Sequence, residues 1–193
     1  MRPTPSRLTV DSPYELFRGT LRIDCANSGM ASAWWDIRHS YYGPSNSLDF
    51  DAGQTSATWD FYDWEHLGTY YVEPSMAYDD DYNDLSQNTQ TTSVRLGSRL
   101  SLSSSRSGNY VTLRSTATRY AITPEAFRPW GGKSVALSYR TCSTCSWHHL
   151  ASRTTNKYGK ISYRFYAPKT SYYQARTAHA STVWGRTSAA SRR

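Results

Sequence analysis

No window of a dozen residues in this chain keeps apolar side chains at the i, i+3, i+4, i+7 spacing that a buried helix face needs. Short alternating runs between turn residues take its place, and these read as half-buried strands. In the first half they are Leu21–Cys25, Ala33–His39, Thr55–Tyr62, Thr69–Val72 and Thr91–Leu96. The breakers between them are Asn27-Ser28-Gly29, Gly43-Pro44-Ser45-Asn46 and Asp79 to Asn83. In the second half the runs are Arg99–Ser103, Tyr110–Tyr120, Ser134–Arg140, Trp147–Thr154, Lys160–Tyr166 and Tyr172–Ala178, and Thr182 to Ser191 closes the chain. Along Tyr110–Tyr120 the alternation puts Val111, Leu113, Ser115, Ala117 and Arg119 on one face, and Pro124 to Gly132 reads as a loop. Sixteen Tyr and seven Trp, with little Leu, Ile or Met, are what pleated surfaces accept. The expected fold is all-β.

Charge divides the same chain in two. Residues 1–94 hold five Arg and no Lys against fourteen acids, a net of −9. Residues 95–193 hold seventeen cations against Glu125 alone, a net of +16. Such asymmetry predicts a domain boundary near residue 95, with an acidic β-sandwich over 1–94 and a basic one over 95–193. Each half is near the lower end of domain size yet long enough to bury a core. No stretch approaches the roughly 20 apolar residues a membrane-spanning helix needs, so no membrane insertion is expected. Met1 to Ser6 is a polar start with no apolar core behind it, as expected of the trimmed end of a longer precursor.

Several segments of the second half stand out, in this order: Tyr110-Val111-Thr112-Leu113, the run from Gly132 to Arg140 with its G-x-x-V-x-L pattern, Ser146-Trp147-His148-His149-Leu150, Thr154 to Lys160 with its T-x-x-x-G turn, and Tyr172-Tyr173-Gln174-Ala175-Arg176. In these residues the second half resembles the immunoglobulin-like repeat domains of secreted actinobacterial proteins. The first half resembles them loosely, through Gly68-Thr69-Tyr70-Tyr71-Val72 and Thr92-Ser93-Val94-Arg95. The resemblance implies two tandem immunoglobulin-like β-sandwich domains, secreted or displayed at a cell surface. It also implies a stalk, spacer or binding module with no catalytic residues.

Few residues offer chemistry of their own. Cys142-Ser143-Thr144-Cys145 can be a redox pair, half of a zinc site completed by His148 or His149, or a disulfide at a hairpin tip. A redox pair needs a helix N-terminus to lower the thiol pKa, and none is expected here. His148 and His149 are neighbours on a strand and point to opposite faces, which argues against zinc. A disulfide suits an exported protein. Cys25 reads as a small buried side chain or as one end of an intermolecular disulfide. Asp79, Asp81 and Asn83 open like a calcium loop. Asp84 stands where such a loop needs Gly, and Gln90 stands where it needs Glu, which leaves a weak calcium site or a plain solvated turn. No other cofactor is expected.

Asp49, Asp51, Asp60, Asp63 and Glu65 invite comparison with glycosidase carboxylates. Their interleaving with Trp59, Phe61, Tyr62 and Trp64 equally describes a sandwich face with aromatics in and acids out, and that is the expectation taken. His39, His66 and His179 stand alone. Of Trp34 and Trp35 one would face the core and the other solvent, and Trp130 sits in a loop where it too could be displayed. The basic half interleaves Arg and Lys with Tyr, a pattern suited to polyanions such as wall phosphopolymers or acidic glycans, with nucleic acid less expected. Trp34, Trp35, Trp130, Arg140, Tyr172 and Arg176 are the candidate ligand contacts. The functional expectation is a non-catalytic structural or adhesion module, or a binding module for an anionic polymer or carbohydrate through the basic half.

Overall fold

A computed structural model describes residues 5–22 and 29–193. It contains strands and turns, with no helix among the described residues. The chain divides into two compact units, Met1–Arg95 and Leu96–Arg193.

In the second unit the described strands are β8 (Ser98–Ser107), β9 (Tyr110–Ala121), β10 (Ala126–Pro129), β11 (Ser134–Arg140), β12 (His148–Thr154), β13 (Lys160–Tyr166), β14 (Tyr172–Thr177) and β15 (Ser191–Arg192). One sheet joins β8 to β9 and β9 to β13, with β10 continuing beside β9 beyond β13. The other runs β12-β11-β14-β15. Val111 and Leu113 of the first sheet share one core with Val135, Leu137, Tyr173 and Ala175 of the second. The two sheets therefore pack face to face. Setting the short β10 aside, the strands fall first–second–fifth in one sheet and fourth–third–sixth–seventh in the other. That is the immunoglobulin-like order.

The first unit holds β1 (Arg7–Val10), β2 (Tyr14–Thr20), β3 (Met30–His39), β4 (Gly43–Asp51), β5 (Ser56–Tyr62), β6 (Gly68–Asp79) and β7 (Gln90–Leu96). Its sheets run β1-β7-β6-β3-β4 and β2-β5. The second–fifth and fourth–third–sixth–seventh groupings recur, and only the first strand has moved, to the edge beside the seventh. Between β1 and β2 the Glu15 carboxylate accepts hydrogen bonds from the backbone of Asp11 and Ser12, which ties down the crossing from one sheet to the other. Phe17, Trp59 and Phe61 form the inner side of the two-stranded sheet, and Tyr70 on β6 meets Trp59 and Phe61.

Several sequence expectations shift. Gly43 to Asn46, expected as a breaker, lies within β4, an edge strand where proline removes no needed ladder bond. The Pro124 to Gly132 loop contains β10. The inner face of β9 holds through Ala117 and then slips, so that Arg119 is exposed and Tyr120 buried. Burying a guanidinium with no acid to meet it costs far more than burying a phenol ring. Arg7–Val10 and Tyr14–Thr20 are strands that the sequence pattern did not announce. Most of the expected strand Leu21–Cys25, including Cys25 itself, lies outside the described residues.

Candidate binding surfaces

The outer face of sheet β12-β11-β14-β15 brings two of the candidate contacts together. Arg140 pairs in register with Tyr172, and Tyr172 pairs in turn with Arg192. The Arg140 guanidinium lies 4.6 Å from the centroid of the Trp147 ring, just before β12, and 5.4 Å from that of Tyr172. Arg192 lies 5.5 Å from the Tyr172 centroid. The result is a ladder across the sheet, Trp147–Arg140–Tyr172–Arg192, alternating ring and guanidinium. Stacking of this kind holds an arginine in place through its flat face and leaves its N–H edge free for a carboxylate, sulfate or phosphate. Arg140 Nε is buried with no hydrogen-bond partner, so the rings alone hold that part of the side chain. Arg176 is exposed on the same face, opposite Ala136. Ala136, Ser138 and Ser152 give this face a floor of small side chains between the larger ones.

Arginine over a ring recurs through the unit, as Arg99 over Phe127, Arg153 over Tyr163 and Arg164 over Tyr110. Residues 96–193 hold sixteen Lys and Arg and a single acid, Glu125. With a single acidic side chain in the unit, rings take the place of carboxylates beside Arg99, Arg140, Arg153, Arg164 and Arg192.

Other candidates are absorbed by the fold. Trp35 is fully buried, edge-on to Phe50, with its Nε1–H donated to the carbonyl of Asn88 at 3.0 Å. Trp34 points to the opposite face of β3 and is half-buried, in register between Asp49 and Met76. Trp130, expected on display in its loop, is buried instead. Its N–H donates to Ala117 O and its carbonyl accepts from Thr155 Oγ1, so the loop is fastened to β9 with the indole inside. An indole is a large apolar surface for a small domain to leave in water.

Cys142 and Cys145 form a disulfide, which removes both thiols from any metal or redox role in this state. His148 tilts against Tyr139, while His149 stands opposite Ser138. Asp79, Asp81, Asn83 and Asp84 do not form a cation cup. Asp79 Oδ1 accepts from the backbone of Asp81 and Asn83, and Oδ2 accepts from Asn83 Nδ2. These bonds, the Asn83 side chain foremost, hold the Asp79 carboxyl below its ordinary range and close a turn. No group of three or more His, Cys, Asp or Glu converges among the described residues. Asp49 and Asp51 alternate with buried Leu48 and Phe50 on β4; the Asp49 carboxylate accepts from Ser47 Oγ, and the Asp51 carboxylate accepts from Gln54 Nε2 while its backbone N–H donates to Gln54 Oε1.

The aromatic run on β5 departs from the simple expectation of rings in and acids out. Trp59, Phe61 and Asp63 are buried, whereas Tyr62 and Trp64 are exposed, Trp64 to 71%. The two exposed rings lie near-parallel, with centroids 5.4 Å apart and planes within 16°, and Tyr14 on β2 leans against Tyr62 at 5.3 Å. Strand alternation already carried this signal: odd positions from 59 to 63 face in and even ones out.

No protein-family model matches the chain, and no curated protein does. Among solved structures it is similar to the BSP domain of a biofilm-associated protein, at 10% identity over 99% of this chain and 28% of that one, with a TM-score of 0.35. It is also similar to trypsin-activated alpha-2-macroglobulin from Escherichia coli, at 11% identity over 98% of this chain and 15% of that one, with a TM-score of 0.36. A third is the fibronectin(III)-like modules of Clostridium thermocellum CbhA, at 11% identity over 98% of this chain and 87% of that one, with a TM-score of 0.35. Overlap this weak leaves the fold resting on the strand order described above. No helix of the described residues is long and apolar enough to cross a membrane.

Proposed function

We propose that this chain is a non-catalytic module of an exported protein and that its second unit binds an anionic polymer. The observation that carries this reading is the ladder Trp147–Arg140–Tyr172–Arg192, set in a unit with sixteen cations and one acid. An arginine fixed against rings loses little further freedom on binding, so each phosphate or sulfate contact costs less in side-chain entropy. The shared chemistry of the ligand is a repeating sulfate, phosphate or carboxylate group. The Cys142–Cys145 disulfide supports the assignment to an oxidising, extracellular compartment.

A double variant, Arg176→Ala with Arg192→Ala, tests the surface. Both side chains are exposed, so the fold is expected to hold, and an unchanged thermal midpoint checks this. The variant is expected to leave immobilised heparin at distinctly lower salt than the wild type. Elution of the two proteins at the same salt would place any heparin contact elsewhere and end the assignment to this face.

A further inference from the structure

The first unit carries a second surface of opposite electrostatic character. Trp64, Glu65 and His66 lie in the loop between β5 and β6, and Tyr42 lies in the turn between β3 and β4. Together they border a pocket of about 270 Å³, room for one ring-sized group. Tyr42 and His66 stack with centroids 3.5 Å apart and planes within 12°. Trp64 lines the same pocket and continues outward into the exposed row with Tyr62 and Tyr14.

The fold positions these groups firmly. His39 is buried beneath the turn, and its Nδ1 accepts from the backbone N–H of both Tyr41 and Tyr42 at 3.1 Å. Gly68 makes room for that imidazole: a Cβ there would stand 2.8 Å from His39 Nε2, at a φ of 147°. Tyr70 donates its hydroxyl to the carbonyl of His66 at 2.6 Å, and burial pushes its phenol pKa well up, so it keeps that proton. Glu65 accepts from the backbone of Tyr62 at 2.9 Å, and Tyr14 donates its hydroxyl to Asp60, which raises its own pKa.

We propose that the Tyr14–Tyr62–Trp64 row and the adjoining Tyr42–His66–Glu65 pocket form a binding site for an uncharged polysaccharide built of pyranose rings. A pyranose presents a C–H face that packs on an aromatic plane and a rim of hydroxyls that donate to carboxylate and imidazole acceptors. Tyr62 and Trp64 lie 5.4 Å apart with planes within 16° of each other, a near-parallel pair for neighbouring sugars of one chain, and Tyr14, tilted 52° from Tyr62 at 5.3 Å, borders the row at its end. The charged lining group is Glu65, with Asp60 beside Tyr14, in a half with a net charge of −9. That balance repels the anionic polymers assigned to the second unit. A quaternary ammonium ligand would also accept rings and a carboxylate. It needs only the pocket, whereas the exposed row extends beyond it, and this favours the polymer.

The test is affinity electrophoresis of the full chain through gels containing soluble neutral polysaccharides, namely hydroxyethylcellulose, mixed-linkage β-glucan, galactomannan or glycol chitin. At least one of these is expected to retard the protein, and the retardation is expected to persist at about 0.5 M salt, where polyanion contacts are screened. Trp64→Ala, at a largely exposed position, is expected to reduce the retardation at least tenfold with an unchanged thermal midpoint. Trp64→Phe is expected to recover part of it, and Tyr158→Ala, in the second unit, to leave it intact. Absence of retardation in every gel would overturn the proposal, as would equal retardation of Trp64→Ala and wild type. Displacement by millimolar tetramethylammonium but not by the matching oligosaccharide would also overturn it, in favour of a cation cage. Because the probes are neutral and the salt is high, none of these failures bears on heparin binding by the second unit.

Discussion

Replacing Trp59 with alanine is expected to destabilise the first unit by about 3–5 kcal/mol, the usual cost of emptying a buried indole site. Trp59 is fully buried and is the hub of the aromatic cluster, with Phe17 at 5.5 Å, Phe61 at 5.9 Å and Tyr70 at 5.2 Å. Its sheet has only two strands, β2 and β5, so few other side chains could settle into the space. A small domain has about 5–15 kcal/mol in total, so this single loss takes a large share. Calorimetry should show two transitions, one moved far down and one unmoved. Trp59→Phe is expected to restore most of the loss. Trp59 Nε1 is buried with no hydrogen-bond partner, so phenylalanine keeps much of the packing and removes an unsatisfied donor. A Trp59→Ala cost below about 1 kcal/mol would deny the cluster its role in the core.

Gly159→Ala is expected to do comparable damage in the second unit, by a different route. Gly159 sits at a φ of +72°, and a Cβ there would lie 2.2 Å from Ala117 O and 3.1 Å from Trp130 N. Those two atoms are joined by a hydrogen bond of 2.9 Å, and Gly159 O itself accepts from Ala117 N at 2.8 Å. The methyl would therefore fall where β9 receives both the entry to β13 and the exit from β10. Left-handed backbone alone costs a non-glycine residue about 1–2 kcal/mol. Displacing the buried hydrogen bond adds about 1–3 kcal/mol more. Gly108 is the comparison. It has a φ of +57° and nothing within 4 Å, so Gly108→Ala should incur the backbone cost alone. Equal losses from the two substitutions, measured by denaturant unfolding, would remove the steric argument.

How much of this was legible in the sequence depended on strand length and on which face was wet. In β9, β11 and β14 alternation over six residues or more fixes register, because a slip by one would turn Val111, Leu137 and Ala175 outward. β1 spans only four residues, too few to show a period. In β2, Leu16 is 54% exposed beside buried Phe17, so two adjacent apolar residues hide the alternation of the strand. Gly43-Pro44 carries turn chemistry yet begins an edge strand.

The binding surfaces were less readable still. Arg140 and Tyr172 could be singled out as residue types, but Trp147 and Arg192 join them only through the cross-strand register. No linear pattern joins residues 140, 147, 172 and 192. For Trp130 the turn-like Pro129-Trp130-Gly131 context suggested exposure, and the pairing of its backbone with Ala117 decided otherwise.

The proposed polyanion binding rests on cations that meet rings where acids would otherwise stand, and salt is the agent that separates charge from packing. Heparin affinity of the intact chain, titrated from about 50 to 200 mM salt, is the direct measurement. The account predicts that log K falls linearly with log salt, losing about tenfold or more over that range. An affinity that stays flat across it, or no measurable binding at the low-salt end, would contradict the account.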